Sequence, residues 1–187
     1  MQRRKFLIRG SALVAVLSAN AHAQGDKAAQ QAEVKSKAMA ALEDFYKADP
    51  KLRAAVAKAP GYAVFTTFGL SFGLGGAGGK GIAHDSKAGK DVYMNVAQAS
   101  AGFQLGASDT RYLFVFHDQK ALALFIDKGW DASAAAGAGV GTGDKAANAK
   151  AGAGNLTGGR LYSLTKAGLQ VGAAVSGLKA WKDKDLN

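Results

Sequence analysis

The sequence predicts an α+β fold, with N-terminal helices packed on a Gly-rich, curved, mostly antiparallel β-sheet or barrel-like sheet. Three observations carry this. Residues 25–59 space their apolar side chains as helices do. From Tyr62 the period changes to two, with bulky residues on one side and glycine on the other. No long helix separates one strand-like segment from the next, which argues against an alternating parallel α/β fold.

The first 23 residues are expected to be an export signal rather than part of the fold. Arg3, Arg4, Lys5 and Arg9 form a basic start, Leu13 to Leu17 a short apolar run, and Ala21-His22-Ala23 an A-x-A cleavage site. Arg3-Arg4-Lys5-Phe6-Leu7 resembles the twin-arginine motif R-R-x-F-L. The run is too short to cross a bilayer core of roughly 30 Å. With no cysteine in the chain, a lipoprotein anchor, disulfides and thiolate metal sites are excluded. The expected product is an exported, periplasmic, single domain of residues 24–187.

The formal charge of the 187-residue chain is +10; four of the basic residues lie in the first 23, leaving +6 for the remainder. Such a balance favours anionic partners, phospholipid headgroups in particular. Nucleic acid is disfavoured by the export signal.

The helical part is expected over 26–59. Val34, Ala38, Ala41, Leu42 and Phe45 fall on one stripe. Asp49-Pro50 reads as an N-cap and first helical position of a second helix with Leu52 and Val56 on its apolar side, ended by Pro60-Gly61. Then Tyr62, Val64, Thr66, Phe68, Leu70, Phe72 and Leu74 alternate with small residues, which from position 69 are Gly69, Ser71, Gly73, Gly75, Ala77, Gly79 and Gly81. A bare strand face implies close approach of another backbone, and so many glycines imply bends or bulges.

Asp85 to Lys90 is a polar turn, and Asp91 to Val96 and Arg111 to His117 are strands. The small-residue alternation returns at Gly102, Gln104 and Gly106 and at Gly168, Gln170 and Gly172. Asp118 is placed to cap a helix through Lys128 with Leu122, Leu124 and Phe125 apolar. Residues 143–159 (GDKAANAKAGAGNLTGG) are expected to be a low-complexity, mobile loop.

Residues 68–81, FGLSFGLGGAGGKG, overlap several chemical motifs. Gly69-Leu70-Ser71-Phe72-Gly73 fits G-x-S-x-G, but that elbow needs a helix after the serine, and here the period of two continues. Gly73 to Gly78 fits G-x-G-x-x-G, yet no helix opens at its last glycine to meet a pyrophosphate. The phosphate-loop pattern fails at Leu74 and Gly81. Ser163-Leu164-Thr165-Lys166 fits S-x-x-K without the S-D-N and K-T-G partners, in a strand-like segment. Ser71, Asp109 and His117 could be written as a hydrolase triad, but nothing in the spacing brings them together. Beyond residue 23 the histidines are His84 and His117, with no ligand-spaced companions. No cofactor, metal site or catalytic residue is expected. Gly69, Gly73, Gly75, Gly102, Gly106, Gly168 and Gly172 are read as structural, and Gly73→Val or Gly75→Val is expected to impair folding.

Several blocks together resemble the SYLF domain family, also described as the actin-binding domain of a yeast Src-homology-containing protein. They are Ala57 to Phe65 (AKAPGYAVF), the Gly-rich Phe72 to Ala83, Ala101 to Gly106 (AGFQLG), Leu113 to Phe125 and Tyr162 to Leu169 (YSLTKAGL). The resemblance spans roughly Ala40 to Trp181. It implies non-enzymatic binding to membrane lipids, with a basic N-terminal segment in contact. Lys27, Lys35, Lys37, Lys47, Lys51, Arg53 and Lys58 lie in the comparable region and are the expected headgroup contacts. Actin is not expected as a partner of an exported bacterial protein; the expected partner is an anionic phospholipid or membrane surface. The competing readings are a structural or protein-interaction domain of the envelope and, least favoured, a serine hydrolase using Ser71.

Overall fold

A computed structural model describes residues 12–132, 158–171 and 177–187, and for 12–24, 69–75 and 99–108 it describes the backbone alone. The chain runs α1 (Ala12–Ala48), α2 (Lys51–Lys58), β1 (Gly61–Asp85), β2 (Lys90–Phe116), α3 (Gln119–Lys128), β3 (Trp130–Asp131), β4 (Gly159–Thr165), β5 (Gly168–Val171) and β6 (Leu178–Lys182). The strands form one antiparallel sheet, β3-β6-β2-β4-β5, with β1 also on β2. The predicted α+β class, with helices on a curved antiparallel sheet, is the observed one.

Two unusually long strands make the curve. The sequence suggests separate strands at 91–96 and 111–117, but β2 is continuous through both. β1 and β2 form one hairpin, turned at residues 86–89 and interrupted by a register shift between Phe72 and Leu74. The hairpin is creased there. On β1, Gly79 lies against the Thr66 carbonyl, Gly81 against the Val64 carbonyl and Gly61 against the His84 carbonyl. These pairs are symmetric about residues 72–73, so the strand folds back over itself. β2 does the same: the Tyr112 hydroxyl donates to Gln98 Oε1 across 2.5 Å, a pair centred on Leu105, which is opposite Phe72. With β1 and β2 each doubled, the sheet closes into a half-barrel.

The close approach expected on the bare face is therefore real, and Gly79 and Gly81 carry it. A Cβ on either would sit inside backbone atoms of Thr66 or Val64, which cannot retreat. Gly69, Gly73 and Gly75 lie in β1 and Gly102 and Gly106 in β2, near the crease, where only backbone is described. Gly168 has a different reason to be glycine: nothing lies near its Cβ position, but its φ of 116° is disfavoured for any residue with a side chain. Gly172 lies outside the described residues. So does most of the loop expected at 143–159; its last residue, Gly159, opens β4.

The doubled sheet buries both faces. Inside, Phe65, Phe114, Phe116 and Tyr112 pack under Leu122 and Phe125 of α3. Outside, Val64, Ile82, Leu113 and Val115 meet Ala38, Ala41, Leu42 and Phe45 of α1 and Leu52 and Val56 of α2. Burying each large apolar side chain contributes about 1.5–3 kcal/mol, so both layers hold the crease shut. The predicted stripes of α1 and α2 are those buried. On α3, Leu124 points to solvent, because its position is out of phase with Leu122 and Phe125.

Capping follows the sequence with one correction. Asp118 accepts from the Ala121 N–H at 2.7 Å and caps α3 as expected. At α2 the cap position is Pro50, one residue later than predicted, although the Asp49 carboxylate still accepts from the Lys51 N–H at 3.0 Å. Residues 12–23 of the expected signal continue α1.

The C-terminal turn straps the helical layer to the sheet. Asp183 is 2% exposed. It pairs with Lys80 at 2.5 Å and accepts from the Asp185 and Leu186 N–H groups. Gln31 of α1 donates to the Leu186 carbonyl and Lys27 to that of Asn187. Burial alone would push the Asp183 carboxyl up, but the hydrogen bonds from Lys80, Leu186 and Asp185 outweigh it and hold it below the ordinary range.

Candidate functional site

The seven predicted headgroup contacts all lie on the two N-terminal helices, but they do not form one bare cationic stripe. Lys27 donates to the Asn187 carbonyl at 2.9 Å. Lys35 reaches Asp91 at 2.6 Å, Lys37 reaches Glu33 at 2.6 Å, and Lys47 reaches Asp44 at 3.3 Å. Arg53 bonds Glu43 at 2.8 Å and lies 4.4 Å from the centre of the Tyr46 ring. Lys51 and Lys58 are exposed and make no ion pair among the described residues. The partners of Lys27 and Lys35 were invisible to helical spacing, since Asn187 and Asp91 lie far along the chain, whereas Lys37 and Lys47 pair within one turn of α1.

Lys35 belongs to the best-organised polar cluster on this side. Asp91 receives Lys35 on one carboxylate oxygen and His84 Nδ1 on the other, each at 2.6 Å. Burial raises the Asp91 carboxyl, but these two hydrogen bonds prevail and hold it below its ordinary value. Tyr62 packs beside His84, with 5.2 Å between ring centres; burial first, then the Asp91 charge, pushes its hydroxyl up to about 12. The cluster ties α1 to the turn end of the hairpin, where Tyr62 of the open end folds back against His84.

A cleft of about 490 Å³ separates α1 from the creased hairpin, between Val34 and Lys37 on one side and Thr66, Phe68 and Lys80 on the other. Glu33 and Asp109 also line it, so its charges balance. Phe68 is 64% exposed on its rim. A second cleft, of about 310 Å³, lies where α2 meets β2 and β4. Its charged or titratable lining is Lys58, His117 and Arg160, over a floor that includes Val115, Phe116 and Tyr162. Arg160 escaped the sequence reading because it stands alone beside a low-complexity stretch. Only the β2–β4 register brings it to Lys58 and His117.

The hydrolase constellation is not assembled. Ser71 pairs with Gly106 within continuous strand, with no helix behind it. His117 lies two residues beyond the Tyr62–Val115 rung, and Ser71 is nine residue steps of strand from Tyr62, roughly 30 Å at about 3.3 Å each. No helix of the described residues is long and apolar enough to cross a membrane.

This fold and its charged helical surface can be set beside known proteins. Residues 97–187 match the family described as Ysc84, Las17-binding protein actin regulator. Similar proteins include the beta cell expansion factor A of Aeromonas veronii, 31% identical over 162 residues, or 86% of this chain. The chain spans 60% of the length of that relative. These findings bear out the resemblance read from the sequence: residues 97–187 match the Ysc84, or SYLF, family, and the Aeromonas relative is similar over most of the chain. The family fits a non-enzymatic binding role.

Proposed function

We propose that this protein is a non-enzymatic periplasmic module that binds membrane surfaces and favours anionic phospholipids. One observation carries the reading. Glu33, Glu43, Asp44, Asp91, Asp109 and Asp183 sit in ion pairs within the protein, in a chain whose basic residues outnumber its acidic ones 24 to 14. The exposed charge left uncompensated is therefore mainly cationic, in line with the +6 balance of residues 24–187. Each basic residue near an anionic surface contributes on the order of 1 kcal/mol, so a handful supports reversible attachment.

Lys51 and Lys58 are the first contacts in this reading. Lys37, Lys47 and Arg53 are held in exposed surface pairs, worth about 0–1 kcal/mol each, in which a lipid phosphate can replace the carboxylate. The basic N-terminal signal supports the periplasmic assignment.

The test is co-sedimentation of the protein, without its first 23 residues, with phosphatidylcholine vesicles and with vesicles also containing phosphatidylglycerol. Pelleting with the anionic vesicles alone, reversed by high salt, is the expected result. Equal pelleting with both, or none with either, overturns the proposal.

A further inference from the structure

We propose that the cleft at the α2–β4 corner is a specific site for a phosphomonoester, with Arg160 and Lys58 as its fixed cations and His117 as its third donor. It rests on the lipid-binding reading only for the source of the phosphate, a lipid headgroup or a small soluble ester.

The register assembles this group. Val115 of β2 faces the α2 layer, as does Leu113 two residues before it. Arg160 is the cross-strand partner of Val115, and Tyr162 that of Leu113, so both emerge on the same side. His117 follows in the same phase and is pinned by its N–H to the Gly158 carbonyl at 2.7 Å. Lys58, in the last turn of α2, closes the cleft from above.

Charge distinguishes this corner from its surroundings. Arg111, on the same face of β2, is shared between Asp44 and Asp109 at 3.6 and 3.5 Å. Arg160 and Lys58 have no carboxylate partner among the described residues, and no carboxylate lines the cleft. The neighbouring Asp118 accepts the Ala121 N–H on Oδ1 and keeps Oδ2 beside Gly158, outside the lining of the cleft. Lys58 also offsets the negative end of the short α2 dipole, which leaves Arg160 as the stronger anchor.

The shape suits a small ligand. At about 310 Å³ the cleft lies at the lower end of small-ligand sites, roughly 300–1,000 Å³. Its floor is rigid: Phe116, Val115 and Tyr162 are at most 6% exposed. Two fixed positive charges match a dianionic terminal phosphate better than a singly charged diester, and the guanidinium fork can take two of its oxygens. The apolar floor then receives the first carbons beyond the ester.

The experiment follows the His117 and His84 ring signals by NMR while inorganic phosphate, then glycerol 3-phosphate, is added, with chloride at matched ionic strength as control. His84, locked on Asp91, is the internal reference. Saturable shifts at His117 alone are expected, weakened at least about tenfold in Arg160→Gln and less than about twofold in the charge-matched Lys128→Gln. Parallel, unsaturating shifts at both rings, or equal effects of the two substitutions, overturn the site. A second arm uses vesicles containing phosphatidate. Pelleting that glycerol 3-phosphate competes away and Arg160→Gln abolishes assigns the phosphate to a headgroup. Saturable NMR binding without vesicle binding keeps the site, assigns it to a soluble ester and sinks the lipid reading instead.

Discussion

The crossing of the creased hairpin and the corner between α2 and β4 use the same sheet for opposite ends. At the crossing, Gly79 and Gly81 let backbone meet backbone, and every added atom collides. At the corner, Lys58 and Arg160 stand exposed over a buried floor, and their removal leaves the floor intact. Gly79 and Gly81 of the conspicuous glycine motif are therefore architecture, while the proposed binding surface centres on an inconspicuous isolated arginine. Substitutions at the first place should be felt in folding, and those at the second in binding.

The largest effect is expected at the crossing. Gly81→Val forces its side chain into the Val64 carbonyl and the Phe65 ring, and should cost about 3 kcal/mol or prevent folding, as overpacking does at its upper end. Chemical denaturation reads this directly; a variant with unchanged stability breaks the comparison, because the two halves of β1 would not then be in contact.

Next comes the strap. Asp183→Asn removes the charged partner of Lys80 and weakens two N–H caps, at an expected cost of about 1–3 kcal/mol. Thermal melts with and without the substitution measure it.

The same carboxylates set an acid limit. Asp91 and Asp183 are both held below their ordinary value in the folded protein. Their contribution is thus complete above the unfolded carboxyl pKa of about 4 and is lost as pH falls through the lower folded values. Melting temperature should drop below about pH 4, less steeply in Asp91→Asn. A wild-type profile flat down to pH 2 would contradict the two clusters.

The smallest effect on folding is expected at the corner. Lys58→Gln with Arg160→Gln should shift stability by less than about 0.5 kcal/mol, as surface substitutions do. A large loss would show that these cations hold the fold and would merge the two regions.

Much of the architecture was legible because local rules operate there. The period of two, the bare face, the polar turn at 86–89, the Asp118 cap and the stripes of α1 and α2 each express a backbone repeat or a nearby hydrogen bond. The crease was legible only as an expectation of bends. Which glycines meet a carbonyl depends on where the strand doubles back, and that placed the collision at Gly79 and Gly81, beyond the crease centre. The candidate site was less legible. Helical position marked Lys27, Lys35, Lys37, Lys47 and Arg53 as cations; Glu33 and Asp44 pair with Lys37 and Lys47 within one turn of α1, but the partners of Lys27, Lys35 and Arg53 come from distant sequence or from the facing helix. Arg160 gained significance only through its pairing with Val115.

The most direct test of the division between architecture and binding surface compares two doubly substituted proteins that lose equal charge. Lys37→Gln/Lys47→Gln removes cations already paired with Glu33 and Asp44, whereas Lys58→Gln/Arg160→Gln removes unpaired ones. Binding to anionic vesicles is titrated for both at one salt concentration. The account predicts a loss of at least about tenfold for the corner pair, on the order of 1 kcal/mol per cation, and less than about threefold for the α1 pair. Equal losses, or a greater loss from α1, would contradict it.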